Sequence, residues 1–134
     1  MRTLALVLAG AALALSFPAA AKSVTERGDA QVALILGSRT PGTPVKCINT
    51  LSARRDALQI VDGFGLIFKA ADGTIYVSRA TDPAKLRSTD IERLDQVRTT
   101  QLCSSDRVWT YDRFNGSLTG VVGLTDFVPY TRAG

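Results

Sequence analysis

One predicted strand carries side chains whose types and spacing suit ligand binding. The segment Arg107–Arg113 contains β-branched and aromatic residues, and alternate residues of a strand share one face. That face would carry two aromatic rings between two guanidinium groups, from Arg107, Trp109, Tyr111 and Arg113. Such rings, flanked by guanidinium groups, stack well on sugar or peptide ligands. These four residues are therefore a candidate ligand face.

The same alternation also fits an ordinary hydrophobic core. In that interpretation Trp109 and Tyr111 are buried, Val108 and Thr110 face water, and the arginine side chains extend along the surface. Aromatic side chains are highly buried on average. We therefore expect this second arrangement, with Trp109 or Tyr111 packed against an N-terminal helix.

The composition excludes the commonest catalytic chemistries. The sequence contains no histidine, so Ser-His-Asp and Cys-His arrangements and His-bearing metal sites are impossible. Carboxylates recur near predicted strand ends, at Asp62, Asp72, Asp106, Asp112 and Asp126. Two of them would suffice as an acid and a base or as cation ligands, but Asp before Gly is typical of turns. We predict no catalytic residue, no metal site and no cofactor.

The first 21 residues have the pattern of a secretory signal peptide. Arg2 precedes an apolar segment that ends at Leu15, and Ala19–Ala21 resembles a cleavage site. The apolar segment is too short to serve as a membrane anchor. We expect residues 1–21 to be removed, and residues 22–134 to form one small domain that does not span the membrane. Its location would be the periplasm or the extracellular medium.

Export determines how the two cysteines are interpreted. Cys47 and Cys103 form an even pair, and in an oxidising compartment a disulfide is their expected state. The loop-closure entropy for a loop of this length corresponds to about 4 kcal/mol. A redox-active cysteine would need a C-x-x-C pair or a neighbouring helix N-terminus, and the sequence shows neither. We expect Asp106 to accept backbone hydrogen bonds beside Cys103.

The net charge of +4 is mildly basic and limits the classes of partner. Cleavage after residue 21 removes only one charged residue, Arg2. The remaining sequence lacks the clustered Lys and Arg residues of a nucleic-acid binder, so we expect no nucleic-acid partner. An envelope protein or an anionic envelope polymer is compatible with this charge.

Helical periodicity follows the predicted cleavage site. Apolar residues recur at i, i+3 and i+4 spacing, at Ala30, Ala33 and Leu34. Thr25 is a suitable N-cap, and Gly37 precedes a segment with two prolines that cannot continue a helix. We predict one amphipathic helix over Glu26–Leu36.

Most of the remaining chain has the two-residue periodicity of strands. Three alternating segments separated by Asp-Gly turns predict a meander with strands near Leu58, Leu66 and Ile75. A further strand would carry Cys47. The segments Arg107–Phe114 and Ser117–Leu124 flank Asn115-Gly116, a strong hairpin signal.

The segment Ala80–Arg98 differs from its neighbours. Ile91, Leu94 and Val97 recur every three residues, which predicts a short helix there. An antiparallel sheet packed on one amphipathic helix buries the apolar faces of both. The predicted fold class is therefore α+β: an N-terminal amphipathic helix packed on a curved or partly closed antiparallel sheet of five to six strands.

Five segments carry a resemblance to a known group of sequences: Gly37–Ile48, Ile60–Asp62, Leu66–Phe68, Gln101–Asp106 and Phe127–Tyr130. Together they resemble an uncharacterised family of small exported proteobacterial proteins, over residues 30–132. The resemblance implies an exported β-rich fold with paired cysteines. It implies no activity, because the family is described only as a domain of unknown function. Members of this kind often carry further cysteines near the C-terminus, which residues 124–127 lack.

These features predict an exported protein without enzymatic activity, which acts as a binding module or an envelope-associated structural module. The alternative is an inhibitor of an extracellular hydrolase, since small disulfide-bonded β-domains with a protruding loop suit that role. A hydrolase that uses two Asp residues is a third hypothesis. A groove lined by Trp109 and Tyr111 would favour binding. An exposed loop rich in Ser, Thr or Arg would favour inhibition, and two converging buried Asp residues would favour catalysis.

Overall fold

The computed structural model describes residues 22–51, 53–54 and 56–133, so the predicted signal peptide lies outside the described residues. The described residues form one α-helix, ten β-strands and one 3₁₀ turn. In chain order these are α1 (Val24–Leu36), β1 (Thr40–Pro41), β2 (Cys47–Asn49), β3 (Leu58–Val61), β4 (Gly65–Lys69), β5 (Ile75–Arg79), the 3₁₀ turn (Pro83–Lys85), β6 (Asp90–Asp95), β7 (Gln101–Cys103), β8 (Arg107–Asp112), β9 (Leu118–Gly123) and β10 (Val128–Thr131). In this part of the chain no helix has the length and apolar character needed to cross a bilayer.

Helix α1 begins at a capping box. The Ser23 hydroxyl oxygen accepts a hydrogen bond from the Glu26 amide at 3.2 Å, and the Glu26 carboxylate accepts one from the Ser23 amide at 3.3 Å. The prediction of Thr25 as the N-cap was wrong, because Gly28 stands three residues after it and cannot complete such a box. The predicted end of the helix is confirmed at Gly37, where the backbone φ is +57°.

Helix α1 packs against the protein through a different face from the predicted one. Gly28 and Val32 are buried, whereas the predicted stripe of Ala30, Ala33 and Leu34 faces solvent. Leu34 is 84% exposed. The helix sequence carries two overlapping apolar stripes, and the buried one is the stripe whose glycine allows a close approach to the sheet.

A pair of glycines makes that close approach possible. A Cβ atom at Gly28 would lie 2.6 Å from the Asp62 carbonyl oxygen, and one at Gly63 would collide with the Val24 carbonyl oxygen. Gly63 also has a φ of +73°, which side chains other than glycine rarely adopt. The first turns of α1 therefore contact the Asp62-Gly63 turn backbone to backbone.

The largest sheet contains five antiparallel strands in the order β1-β10-β5-β4-β3. The predicted meander is confirmed as β3, β4 and β5, with its turns at Gly63 and Gly73. Leu66 and Phe68 of β4 belong to one hydrophobic core, and Ile67 belongs to a second. Strand β4 therefore separates the two cores.

A two-stranded sheet of β2 and β7 contains the disulfide. Cys47 and Cys103 are opposite each other in register, with their sulfur atoms 2.13 Å apart, as the sequence predicted. Asp106 is buried beside them and accepts hydrogen bonds from the Cys103 amide at 2.8 Å and from the Val97 amide at 3.1 Å. This carboxylate confirms the expected backbone-binding role of Asp106.

The third sheet has the strand order β6-β8-β9. Strands β8 and β9 form the predicted hairpin at Asn115-Gly116. The predicted helix within Ala80–Arg98 was wrong, because this segment forms the 3₁₀ turn and β6, which pairs with β8 over six residue pairs. In a strand, Ile91 and Leu94 lie on opposite faces: Leu94 packs on the core and Ile91 is exposed. Pairing with a distant strand has overridden the local spacing.

The three sheets do not form a single sheet, but all of them contribute side chains to the larger of the two cores. The larger core takes Leu66 from β4, Leu102 from β7 and Val108 from β8, all with 0% exposure. The smaller core lies under α1 around Val32 and Ile67. The single helix and the antiparallel strands are as predicted, but the described residues form ten strands in three sheets that are neither closed nor curled, which corrects the expected curved or partly closed sheet of five to six strands. Two isolated bridges, Val45 with Phe127 and Ala80 with Leu124, add to the pairing of these strands.

We expect loss of the disulfide to lower the free energy of unfolding by about 2–5 kcal/mol, because the reduced unfolded chain regains the entropy of an open loop. Urea denaturation of Cys103→Ala measures this loss. The double variant Cys47→Ala/Cys103→Ala is the control for the unpaired thiol, and a reductant should destabilise only the wild type. An unchanged melting temperature, or free thiols in the native protein, would contradict the prediction.

Candidate ligand face

Strand β8 alternates between the core and the surface. Val108 and Thr110 have 0% and 1% exposure, whereas Trp109 and Tyr111 are partly buried and Arg107 is exposed. Neither aromatic side chain belongs to either hydrophobic core. The expectation that Trp109 or Tyr111 packs against α1 was therefore wrong, because the smaller alternate side chains fill the space against the core.

The outer face of the β6-β8-β9 sheet is open to solvent. Trp109 and Tyr111 lie on the central strand of this sheet, and each is paired in register with a residue of β6 on one side and of β9 on the other. These neighbours are Ile91 and Arg93 on β6, and Leu118 and Val121 on β9, all of them exposed. A surface with this many large apolar side chains is unusual for the outer side of an antiparallel sheet, which is normally polar.

A shallow depression of about 290 Å³ lies on this face between β6 and β8. Arg93, Asp95, Trp109 and Tyr111 line it. The indole Nε1 of Trp109 donates a hydrogen bond to Asp95 Oδ2 at 3.2 Å, which orients the ring. Among the described residues, neither the Arg93 guanidinium nor Asp95 Oδ1 has a hydrogen-bond or ion-pair partner. Both groups are available to a ligand.

The fourth predicted residue, Arg113, is not part of this face. Strand β8 ends at Asp112, earlier than predicted, and Arg113 lies in the following turn. Its Nη2 donates a hydrogen bond to the Ser88 carbonyl oxygen at 3.0 Å. The observed face therefore keeps Arg107, Trp109 and Tyr111 from the prediction.

Two residues of the face were not predicted from the sequence. Arg93 and Asp95 come from the segment that was predicted to be helical, so they were not placed beside Trp109. Their two-residue spacing with Ile91 is a weak strand signal, and the three-residue spacing of apolar residues obscured it. Their position depends on the register between β6 and β8.

The β8–β9 hairpin ends in a tightly hydrogen-bonded tip. Asp112 Oδ1 accepts hydrogen bonds from the amides of Phe114 and Asn115, at 2.8 and 3.0 Å. Asn115 Oδ1 accepts hydrogen bonds from the amide and the hydroxyl of Ser117, at 2.9 and 2.7 Å. Phe114 is 94% exposed. The tip thus presents an aromatic ring to water on an ordered backbone.

Asp62 is brought next to a glutamate, not next to a second Asp residue. Glu92, on the inner face of β6, lies beside the Asp62 carboxylate in the turn after β3. Burial raises the pKa of Glu92 to about 8, together with a hydrogen bond that only the protonated pair can share and the negative charges of Asp62 and Asp90. Glu92 Oε1 is buried and has no hydrogen-bond donor among the described residues. Glu92 is therefore mostly protonated at neutral pH.

Only one member of this acid pair lines the cleft beside α1. A cleft of about 380 Å³ beside α1 is lined by Asp62, Arg27 and Arg87, among others, but not by Glu92. A substrate in that cleft would meet one member of the pair only. Asp72 instead binds the Thr74 amide at 2.9 Å, and this hydrogen bond lowers its pKa.

Other clefts and metal-binding groups add no further candidate. A further cleft of about 570 Å³ is lined by Asn49, Arg54, Phe68 and Asp72, among others, and by none of the four residues of the predicted ligand face. Within the described ranges, no group of three or more His, Cys, Asp or Glu side chains is placed to hold a metal ion.

The fold is thus one helix with three antiparallel sheets, and one sheet face carries two partly buried aromatic rings among exposed apolar side chains. No family model, curated protein or solved structure matches this chain. The resemblance to small exported proteobacterial proteins therefore stays a prediction.

We expect the stability of the protein to fall as the pH rises from about 4.5 to about 8, the range over which native Glu92 keeps a proton that the unfolded chain has released. The chain has no histidine, so no imidazole titrates in this range. Thermal unfolding at several pH values measures the effect. Glu92→Gln stays neutral and should remove this fall, whereas Asp126→Asn, at an exposed carboxylate, should keep it. The same pH dependence in Glu92→Gln as in the wild type would refute this assignment.

Proposed function

We propose that this protein is an exported, non-enzymatic binding module that holds its partner on the outer face of β6, β8 and β9. The observation that carries the proposal is the position of Trp109 and Tyr111, which lie outside both cores among exposed apolar neighbours. Exposed apolar surface is unfavourable in water, and a bound partner would remove it from water. The face therefore has a physical reason to be covered.

The composition of the face supports this proposal. Trp, Tyr and Arg are the residue types that contribute most to binding energy at interfaces. The hydrogen bond from Trp109 to Asp95 orients the indole before a partner arrives, which lowers the entropy lost on binding. Arg107 and Arg93 add hydrogen-bond donors beside the rings.

Export and envelope association complete the proposal. The pattern of residues 1–21 is typical of a signal peptide. The Cys47–Cys103 disulfide is of a kind that persists in oxidising compartments. The envelope is then the compartment in which a partner would be met.

We expect the exported protein to co-sediment with the insoluble envelope fraction of its producing cell, and Trp109→Ala to lose at least nine-tenths of the bound protein, roughly the effect of 1.4 kcal/mol in affinity. This variant should keep its fold, with a stability loss well below the about 3–5 kcal/mol of a fully buried tryptophan. Leu34→Ala, at an exposed apolar residue on α1, is the matched control and should sediment like the wild type. Equal sedimentation of Trp109→Ala and the wild type would contradict the proposal.

A second candidate function, inhibition of an extracellular hydrolase, is favoured by the hairpin tip. The side chains of Asp112 and Asn115 hold the tip in one conformation before binding, which reduces the entropy that an inhibitor loses. Phe114 projects from this ordered turn and is 94% exposed. An aromatic ring presented in this way suits an apolar specificity pocket.

This second function predicts that the protein inhibits α-chymotrypsin, whose specificity pocket is apolar, more strongly than trypsin, whose pocket is acidic. Phe114→Ala should weaken that inhibition at least tenfold, because the ring is the group that would enter the pocket. Trp109→Ala, on the sheet face, should inhibit like the wild type. Steady-state inhibition assays with both proteases measure these differences. Equal inhibition by Phe114→Ala and the wild type, or none by either, would count against the inhibitor function.

A further inference from the structure

We infer that the depression between β6 and β8 binds an uncharged sugar unit of a glycan chain that lies along β8. This inference rests on the proposed binding function and names the chemical class of the ligand.

The two rings supply a stacking platform. Trp109 and Tyr111 are two residues apart on the same face of β8, which separates them by roughly 7 Å along the strand. Among the described residues, the aromatic pair is Phe68 with Tyr76, and the cation–π contact is Arg79 with Phe64. Neither Trp109 nor Tyr111 takes part in these contacts. The C–H face of a pyranose ring is apolar and packs on the electron-rich face of an aromatic ring.

The polar groups suit hydroxyl groups. A hydroxyl both donates and accepts hydrogen bonds, so its binding site needs an acceptor and a donor. Asp95 Oδ1 has no hydrogen-bond partner among the described residues, while Asp95 Oδ2 accepts a hydrogen bond from the indole of Trp109. The Arg93 guanidinium supplies donors at the same depression.

The charges at the depression favour an uncharged ligand. Arg93 and Asp95 carry opposite charges and both line the cavity. An anionic ligand attracted by the guanidinium would be repelled by the carboxylate, and a cationic ligand attracted by the carboxylate would be repelled by the guanidinium. A neutral polyol contacts both groups without either penalty.

The position of the depression favours a saccharide over an extended peptide. Peptides commonly bind to sheets by adding a strand at an edge, through main-chain hydrogen bonds. This depression lies on the face of the sheet, where side chains and not backbone groups are presented. Successive units of a glycan lying along β8 would meet Trp109 and then Tyr111.

The test uses the fluorescence of Trp109, the only tryptophan of the chain. The exported protein is titrated with cellohexaose and chitohexaose, which are uncharged, and with hexagalacturonate, which carries carboxylates. We expect a saturable change in emission with at least one uncharged oligosaccharide, with a Kd below about 1 mM. The affinity should change little when salt is raised, because no ion pair to the ligand is formed.

Variants then locate the binding. By calorimetry, Trp109→Ala, Asp95→Asn and Arg93→Gln should each weaken binding of the uncharged oligosaccharide at least tenfold. Arg132→Gln, an exposed arginine after β10, makes the same charge change as Arg93→Gln and should bind like the wild type. Wild-type affinity in Trp109→Ala would place the binding elsewhere and overturn the inference.

The outcomes separate this inference from the proposed function. Binding of hexagalacturonate alone, with a steep loss of affinity in salt, would overturn the uncharged class of ligand. No change in emission with any of the three oligosaccharides would overturn the glycan itself. In both cases, co-sedimentation with the envelope that depends on Trp109 would still support the proposed binding function. Loss of that dependence would contradict the proposed function, whatever the result with the oligosaccharides.

Discussion

The burial of Val108 and Thr110 against the shared core determines what β8 presents to solvent. Because side chains alternate along a strand, this burial turns Trp109 and Tyr111 outward. Thr110 is tolerated in the core because its hydroxyl is hydrogen-bonded to that of Thr119 at 2.8 Å, so the buried polar group has a partner. A shift of register by one residue would bury both aromatic rings and remove the face.

The candidate ligand face also depends on contacts outside its own sheet. Asp106 directly precedes β8 and holds the amides of Val97, just after β6, and Cys103, at the end of β7. One buried carboxylate thus connects the disulfide to both strands that line the depression. On the inner side of β6, the protonated Glu92 lies against Asp62 without the repulsion that two carboxylates would have. The position of Arg93, the next residue, is therefore tied to these internal contacts.

Features set by local geometry could be predicted from the sequence. The turn glycines Gly63, Gly73 and Gly116 all have positive φ, and the predicted meander and hairpin form around them. Gly37 ends the helix for the same reason. With two cysteines in the chain, only one intramolecular pairing was available, and the structure contains it. These features need information from a few neighbouring residues only.

Features that depend on distant partners were decided by the tertiary structure alone. A period of two shows that Trp109 and Tyr111 share a face, but only the packing of other segments decides whether that face is buried. The helical period likewise leaves open which stripe of α1 is buried, and the backbone contact between Gly28 and Gly63 selects it. Residues 90–95 form a strand because β8 offers them pairing partners. The sequence by itself therefore determined the turns, the hairpin and the disulfide, whereas the tertiary structure chose the buried faces, since burial is a property of the whole fold.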